Sequence, residues 1–413
     1  MRILFVIPVP PRSEAPGAIP RVLQATLIGL RERHDVTVVT AAGDEDGEME
    51  AAESMSRLGV VSHVVDRRRP EGPRRWSRRL RLASTWAQGS SPWRTVWLAD
   101  PRIQQVVERL VAESQFDVLV AEDNAMGVFR FPPQVPSVLT EHEVRRPRPV
   151  RYSWRSHPNV VTWALREDDW RRWRSYQPRV WRRFDLIQVF SDRDAARIRE
   201  LAPDIANRVR VNPFGIELSD QTEVRQEEPG VVLFSGDFTH LPNVDAAIWL
   251  ATEIMPMLRS LDPTARLRLV GPAAPDAVRA LAGPGIEIVG EVASMRPELA
   301  AAAVVVAPVR IGGGMRVKVL HALAAQKAVV TTSRGAEGLA APPHDLPLVI
   351  ADDAAEIAER IAELLRDPTL RHALGERARG FVVEQHSPAA YARRCEVVYA
   401  AAIAAHRASS SRA

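Results

Sequence analysis

Three consecutive glycines stand directly before two basic residues in the stretch RIGGGMRVKVLHALAAQKAVVTT. Gly312, Gly313 and Gly314 have no side chains, so a ligand can approach their backbone N–H groups closely. The apolar run behind them has helical spacing, and the N-terminus of a helix carries partial positive charge. Arg316 and Lys318 alternate, and in an extended segment their side chains point the same way. The pattern predicts a cradle for an anion such as phosphate; the alternative is a tight glycine turn with two solvated basic residues.

A histidine between two glutamates ends another apolar run, in PSVLTEHE. His142 stands at the predicted carboxyl end of a strand, where parallel sheets bind ligands. The alternative is a structural histidine without a ligand. Glu141 and Glu143 either orient His142, or bind hydroxyl groups, or are solvated, and the sequence leaves these roles open.

Length and composition limit the class of protein. The chain of 413 residues is longer than a domain with a single hydrophobic core usually is. Its length suits two domains of about 200 residues each. Cys395 is the only cysteine, which excludes an internal disulfide and fits a reducing compartment. No apolar run approaches the roughly 20 residues of a membrane-spanning helix, and MRILFVIPVP lacks the basic leader and cleavage site of a signal peptide. We therefore expect a cytoplasmic protein.

Short apolar strands alternate with amphipathic helices from the first strand, ILFVIPV, and the alternation restarts at GVVLFSGD. Such alternation predicts two doubly wound α/β domains with parallel sheets, which bind ligands at the carboxyl ends of their strands. We expect an N-terminal domain over 1–217, a polar linker over 218–230 and a C-terminal domain over 231–386. The remaining helix, over 387–413, is expected to pack back onto the N-terminal domain.

Several motifs together resemble the GT-B glycosyltransferases, specifically the retaining enzymes of family 4 (glycosyl transferases group 1 type) in the glycine-triplet subtype. They are FSGDFTHLPNVDAA, LVGP, IVGEV, VVVAP, GGGMRVKVLH and GAEGL in the second half, and TEHE and VRVNPFGIE in the first. The resemblance covers nearly the whole chain. It implies two Rossmann-like domains facing a central cleft, with the acceptor bound by the first and the nucleotide-sugar donor by the second.

The resemblance also implies roles for individual residues. The expected catalytic residues are His142, Arg316 and Lys318, and the expected acceptor side comprises Gly17, Glu141, His142 and Glu143. The expected donor-binding residues are Gly236, Asp237, Gly271, Val292, Gly312, Gly313, Gly314, Met315, Arg316, Lys318, His321 and Glu337.

Two positions depart from the family pattern. Family 4 is known for a Glu-x7-Glu pair whose second Glu holds the ribose hydroxyls of the donor, and here Gly313 and His321 stand at those positions. Imidazole can still hydrogen-bond a ribose diol as donor and acceptor. The basic residues that many members place after the first strand of the second domain are absent from GDFTHLPN, which leaves the diphosphate to Arg316, Lys318 and the backbone.

The expected function is a retaining, metal-independent transfer of one sugar, of the hexosyltransferase type, from a nucleotide-diphosphate sugar to a hydroxyl acceptor. The acceptor is a glycan, a lipid-linked glycan or a natural product. No cofactor is expected, because fixed N–H groups and cations can stabilise the departing diphosphate without a metal. The alternative is a catalytically impaired GT-B protein that binds a nucleotide sugar or supports an active partner, and His321 motivates it.

Arginine and tryptophan are concentrated in segments 67–102 and 145–183 of the first domain. One interpretation is a helical hairpin with solvated arginines over partly buried tryptophans. Another is contact with an anionic membrane surface, with tryptophan at headgroup depth, which would place a cytoplasmic protein peripherally at the inner face of the membrane. Binding of nucleic acid by phosphate contacts and stacking is the least favoured interpretation.

Overall fold

The computed structural model describes residues 1–13, 17–43, 47–68, 73–144, 160–218, 227–312 and 316–411. By its internal contacts the chain divides into two compact units. Unit 1 comprises Met1–Pro11, Leu27–Asn212 and Ala392–Ala413, and unit 2 comprises Arg12–Thr26 and Pro213–Tyr391. This division differs from the expected boundary at residue 217, because residues 213–217 and the early segment 12–26 group with unit 2.

Unit 1 contains a parallel sheet whose strands are mostly buried. Its strands are β1 (Arg2–Val6), β2 (Asp35–Ala42), β3 (Val61–Asp66), β4 (Val118–Glu122), β5 (Ser137–Glu141), β6 (Leu186–Val189) and β7 (Val209–Val211). Their order is β3-β2-β1-β4-β5-β6-β7. The direction of winding changes between β1 and β4, and doubly wound sheets bind ligands at the carboxyl ends of such strands.

Helices cover both faces of this sheet, as continuous apolar strands require. They are α1 (Ala18–Arg31), which spans both units, α2 (Glu48–Ser54), α3 (Pro73–Gln88), α4 (Trp93–Leu98), α5 (Pro101–Glu113), α6 (Val160–Trp181) and α7 (Asp192–Leu201). Two of them begin at a side-chain cap: Asp100 accepts from the N–H of Arg102, and Ser191 from that of Asp194.

Unit 2 contains a second parallel sheet. Its strands are β8 (Val231–Ser235), β9 (Arg266–Val270), β10 (Ile286–Gly290), β11 (Val304–Ala307), β12 (Ala328–Thr331) and β13 (Val349–Ile350), in the order β10-β9-β8-β11-β12-β13. The winding changes direction between β8 and β11, so the carboxyl end of β8 lies at the point where such sheets bind ligands. The prediction of two doubly wound α/β domains is confirmed.

The helices of unit 2 follow the same alternation. They are α8 (Leu241–Trp249), α9 (Met255–Leu261), α10 (Asp276–Arg279), α11 (Arg296–Ala301), α12 (Val317–Ala324), α13 (Ala354–Arg366) and α14 (Pro368–His386), followed by α15 (Pro388–Ser410), which spans both units. One π-helical turn, Leu250–Ile254, joins α8 to α9.

The last part of α15 belongs to unit 1 and carries polar contacts there. The His406 ring lies 3.2 Å from Asp185, and Arg394 donates to Asn212 at 3.1 Å. None of the helices among the described residues is long and apolar enough to cross a membrane.

Candidate functional site

Two glycines meet at the carboxyl ends of β8 and β9. The N–H of Gly236 donates to the carbonyl of Val270 at 2.9 Å, and the N–H of Gly271 donates to the carbonyl of Gly290 at 2.7 Å. A Cβ on Gly271 would lie 1.9 Å from the carbonyl oxygen of Gly236. Only glycine fits at position 271, because backbone approaches backbone closely at this edge of the sheet, where such sheets bind ligands.

Lys318 extends to the same edge from α12. Its ammonium donates to Oδ1 of Asn243 at 2.6 Å and lies 4.4 Å from the ring centroid of Phe234. Asn243 in turn donates to the backbone carbonyl of Asp237 at 2.6 Å. A Cβ on Gly236 would lie 2.8 Å from the Lys318 Nζ. The two predicted donor-binding residues at positions 236 and 318 are therefore in contact.

The pKa of Lys318 lies near neutral pH, so a ligand can change its charge. Burial, and next the neighbouring charge of Arg316, lower the pKa of the Lys318 ammonium from 10.5 to about 7, while Asp237 opposes the shift. A bound anion would favour the charged form, because opposite charge within a few ångströms raises the pKa of an ammonium.

Arg316 and Lys318 do not stand on an extended segment, as the alternation predicted. Helix α12 begins at Val317 with Arg316 as its N-cap residue, so Lys318 is already helical, and the charge of Arg316 still acts on Lys318. The Arg316 guanidinium is buried, donates from Nε to the carbonyl of Arg334 at 2.9 Å and lies 3.7 Å from the Glu337 carboxylate. It brings together the start of α12 and the loop after β12, including the predicted residue Glu337.

The glycine triplet is only partly described. Gly312 has φ 90°, and a Cβ there would lie 2.6 Å from the Pro242 ring at the start of α8. Its carbonyl accepts from Arg334 at 3.1 Å. Gly313 and Gly314 of the predicted cradle, and Met315, a predicted donor-binding residue, lie outside the described residues.

His321 lies one turn after Lys318 on α12. Burial, and next the charge of Arg21, lower the pKa of the His321 imidazole to about 3, so the ring is neutral at neutral pH. Its Nε2 is buried, and no hydrogen-bond partner for it occurs among the described residues. A neutral ring with an unsatisfied nitrogen is what a ribose hydroxyl could contact.

Two further predicted residues, Gly17 and Val292, lie on other segments of unit 2. Gly17 directly precedes α1, and its segment, like Arg21, groups with unit 2 instead of with the N-terminal domain to which it was assigned. Val292 lies two residues beyond β10, close in sequence to Gly290, whose carbonyl holds Gly271. Across the described ranges, no group of three or more His, Cys, Asp and Glu side chains could hold a metal ion.

The neutral state of His321 predicts an acid-dependent loss of stability. The unfolded chain binds a proton at His321 below about pH 6.5, whereas the folded chain does not until about pH 3. Stability therefore falls as the pH decreases from 6.5 towards 3. From pH 7 to pH 5, wild type should lose up to about 2 kcal/mol more unfolding free energy than His321→Gln. Urea unfolding at the two pH values measures this difference, and equal losses would contradict it.

A second polar cluster lies at the carboxyl ends of β4 and β5 in unit 1. His142 is 4 % exposed, and its Nε2 lies 2.8 Å from the carboxylate of Glu122, which is 2 % exposed. The other Glu122 oxygen accepts from the Thr140 hydroxyl at 2.9 Å. The His142 ring stands edge-on to Phe190, with centroids 5.1 Å apart. Glu122, which the sequence analysis missed, is thus the residue that orients His142.

The two glutamates beside His142 have other environments. Glu141 is buried and accepts from Trp181 Nε1 at 2.7 Å and from the Asn124 amide at 2.5 Å. Burial raises the pKa of Glu141 to about 8, and the nearby Asp123 contributes to the rise. Glu143 is exposed. The described partner of the His142 ring is Glu122, and the roles left open for Glu141 and Glu143 stay predictions.

Among the described residues of unit 1, arginine side chains pack on tryptophan rings at two places. The Arg67 guanidinium lies 3.9 Å from the centroid of the Trp97 ring, and that of Arg172 lies 4.3 Å from Trp86. Cation–π pairs of this kind stabilise a packed hairpin. Residues 145–159 of the second Arg/Trp segment lie outside the described residues.

The sequence of unit 2 matches a known family. Residues 229–367 match the sequence model of the family described as glycosyl transferases group 1. The matched residues run from β8 to the end of α13 and include Gly236, Gly271, Lys318 and Glu337. No curated protein matches the chain by sequence.

Solved structures match the chain over nearly its whole length. HepE from Anabaena, in complex with UDP and glucose, is 15% identical with a TM-score of 0.62, and the match covers 97% of this chain and 99% of HepE. Sucrose-phosphate synthase from Thermosynechococcus elongatus is 17% identical with a TM-score of 0.63, covering 98% and 100%. A variant of S. aureus TarM, in complex with fondaparinux, alpha-GlcNAc-glycerol and UDP, is 9% identical with a TM-score of 0.63, covering 97% and 100%. The chain has the GT-B fold, as predicted.

Proposed function

We propose that this GT-B protein, whose residues 229–367 match the group 1 glycosyl transferases, is a retaining, metal-independent glycosyltransferase. It moves a sugar from a nucleotide-diphosphate sugar to a hydroxyl acceptor. The observation that carries the proposal is the arrangement of Lys318, Asn243 and Gly236 at the carboxyl end of β8, inside the matched segment. That arrangement puts a cation beside the glycines that end β8 and β9, and such a cation supports the binding of a diphosphate there.

The chemistry requires that the negative charge on the departing diphosphate be stabilised. Lys318 supplies a compact ammonium, and the N-terminus of α12 supplies partial positive charge. Arg316 contributes positive charge and holds the loop that carries Glu337. Fixed charges of this kind, aimed at developing negative charge, take the part that a metal ion has in other transferases.

The anomeric configuration of the transferred sugar is retained if the acceptor attacks the sugar ring from the same face that the diphosphate leaves. The acceptor oxygen bonds to the anomeric carbon as the bond to the phosphate oxygen breaks, and the acceptor proton passes to that phosphate oxygen. No protein nucleophile is then required. In this step Lys318 stabilises the departing diphosphate, and the diphosphate takes up the acceptor proton.

UDP-sugars are the first donors to test. HepE is described with UDP and glucose, and TarM with UDP. The acceptor is proposed to be a glycan, a lipid-linked glycan or a natural product, since only a hydroxyl group is required of it.

The catalytically impaired alternative is favoured by one observation. His321 stands where the family has a glutamate, and as a neutral imidazole with a buried Nε2 it offers the ribose a weaker contact than a carboxylate would. Nucleotide binding without turnover of any nucleotide sugar would favour this alternative.

Thermal unfolding with UDP, GDP, dTDP, ADP and CMP, each in EDTA, tests the proposal. A ligand at 100 times its dissociation constant stabilises the fold by about 2.7 kcal/mol. One diphosphate should raise the melting temperature of wild type and not that of Lys318→Met. Lys318 is a better probe than Arg316, because the buried Arg316 also holds a loop. The absence of a shift with every nucleotide would contradict the proposal.

Contact of unit 1 with an anionic membrane stays a prediction. Leu80 on α3, and Val161 and Leu165 on α6, are exposed apolar residues on the two arginine-rich helices. Co-sedimentation with vesicles of phosphatidylglycerol, compared with vesicles of phosphatidylcholine, measures it, and equal recovery with both would contradict it.

A further inference from the structure

A chain of buried hydrogen bonds follows the carboxyl edge of the sheet in unit 1, from the C-terminal helix to His142. We call it the polar chain. Its members, in order, are Arg394, Asn212, Gln188, Thr140, Glu122 and His142. All six belong to unit 1.

The first links fix which group donates. Arg394 donates from Nε to Oδ1 of Asn212 at 3.1 Å, and a guanidinium can only donate. The amide of Asn212 therefore turns its NH2 towards Gln188 and donates to Oε1 at 2.9 Å. The NH2 of Gln188 must then face Thr140. The orientations of the Asn212 and Gln188 amides are therefore determined by Arg394, which can only donate.

The remaining hydrogen bonds of the polar chain continue in the same donor-to-acceptor order as far as Glu122, which contacts His142. The Gln188 NH2 lies 3.4 Å from the Thr140 hydroxyl, which therefore uses its own hydrogen to donate to Glu122 Oε1 at 2.9 Å. The other Glu122 oxygen lies 2.8 Å from Nε2 of His142. Because a carboxylate only accepts, Nε2 of His142 carries a proton, and in a neutral ring it is the only nitrogen that does.

A lone pair is therefore left on Nδ1 of His142. This nitrogen is buried, and none of the described residues supplies a hydrogen-bond partner for it. An unpaired buried acceptor is unfavourable unless a ligand supplies a donor. The lone pair would repel a phosphate oxygen and accept from a hydroxyl group.

We propose that Glu122 is a positioning residue that sets His142 as a hydrogen-bond acceptor for a sugar hydroxyl. The identification of the ligand as a sugar rests on the proposed glycosyltransferase function, whereas the position of the proton does not. The hydroxyl belongs either to the transferred sugar or to the acceptor. His142 thus recognises a hydroxyl group and not a phosphate oxygen.

The substitution Glu122→Gln tests the proposal with almost no change of shape. Thr140 still needs an acceptor for its hydroxyl hydrogen, so the new amide turns its oxygen towards Thr140 and its NH2 towards His142. The NH2 donates to Nε2, and the imidazole proton moves to Nδ1. His142 then presents a donor, and release of UDP from UDP-glucose should slow on the order of 100-fold.

Histidine 15N NMR reads the proton position directly and needs no ligand. The chain has 10 histidines, and the signals that disappear in His142→Phe assign the ring. Wild type should show a protonated Nε2, and Glu122→Gln a protonated Nδ1. Thr140→Val is the matched control: it removes another link of the polar chain but leaves Glu122 a carboxylate, so the proton should stay on Nε2.

Binding measurements distinguish the two sources of the hydroxyl. If it belongs to the donor, His142→Phe should weaken UDP-glucose about tenfold and leave the affinity for UDP unchanged. If it belongs to the acceptor or to water, His142→Phe should leave both affinities unchanged and slow the release of UDP.

The proposal is overturned if wild type carries the proton on Nδ1, or if Glu122→Gln and Thr140→Val have the same effect. It is also overturned if His142→Phe alters neither UDP-glucose affinity nor UDP release. A protein that does not bind UDP-glucose but shows the expected proton positions would contradict the proposed function and leave the positioning role of Glu122 intact.

Discussion

Lys318→Met should lower the turnover of a nucleotide sugar by about 10²- to 10³-fold, the loss expected when one group that stabilises developing negative charge is removed. The ammonium lies at the carboxyl end of β8, beside Gly236 and held by Asn243. Methionine fills much of the same space without the charge, so the fold should persist. Release of the nucleotide diphosphate from the nucleotide sugar measures the effect. Turnover within a few fold of wild type would contradict the role of Lys318.

Because the pKa of Lys318 is lowered, we expect the affinity for a nucleotide sugar to depend on pH. Above pH 7 the free protein carries an increasingly neutral Lys318, and a diphosphate must then bind together with a proton. The affinity for UDP-glucose should therefore fall by up to tenfold for each pH unit above 7. UDP-glucose is a suitable probe, because its diphosphate does not titrate in this range.

The pKa of Lys318 can be measured directly by NMR, because the chain has few lysines. Lys318 and Lys327 are its only two lysines, so 13C-lysine-labelled protein has two Cε signals, and Lys318→Met identifies one of them. That signal should titrate near pH 7 in the free protein and at higher pH once UDP is bound. Titration near 10.4, the ordinary value, would contradict the environment described for Lys318.

Gly271→Ala should destabilise the protein by about 3 kcal/mol or more, since an added methyl group would have to displace backbone. Its Cβ would lie 1.9 Å from the carbonyl oxygen of Gly236, and Gly271 has φ 149°. Relief of this clash would separate the ends of β8 and β9, so nucleotide binding should be lost as well. Urea unfolding at constant m value measures the first effect, and the thermal shift with UDP measures the second.

Gly283→Ala is the matched control for Gly271→Ala. No atom lies within 4 Å of the position that its Cβ would take, and the residue is in the same unit. Its stability should stay within about 0.5 kcal/mol of wild type. Equal effects of the two alanines would show that the approach of Gly271 to Gly236 is not tight.

The contrast between Lys318 and Arg316 illustrates how far the sequence could predict the candidate site. The family resemblance implied Gly236, Gly271 and Lys318 as donor-binding residues, and the structure brings them together at the carboxyl ends of β8 and β9. Their role in donor binding stays a prediction. The extended conformation predicted for the segment from Arg316 to Lys318 was wrong. The alternation of basic residues suggested an extended segment, but α12 begins at Val317, and the first residue of a helix is the least predictable part of it.

Glu122 could not be found from local sequence, because its partner His142 is twenty positions further along the chain. The parallel register that pairs Glu122 with Thr140 brings the two strand ends together. The available signal was the run FDVLVAE, an apolar strand that ends in a carboxylate. Glu141, adjacent to His142 in sequence, faces Asn124 and Trp181 instead, since successive side chains of a strand point to opposite faces.

The anomeric configuration of the product tests the central claim most directly. Wild type is incubated in EDTA with the α-linked nucleotide sugar that the thermal shifts select, and the released or transferred sugar is followed by proton NMR from the first minutes. A retaining, metal-independent glycosyltransferase should form the α-anomer first, and Lys318→Met should form it far more slowly. Initial formation of the β-anomer, or turnover that requires an added divalent metal, would contradict the account.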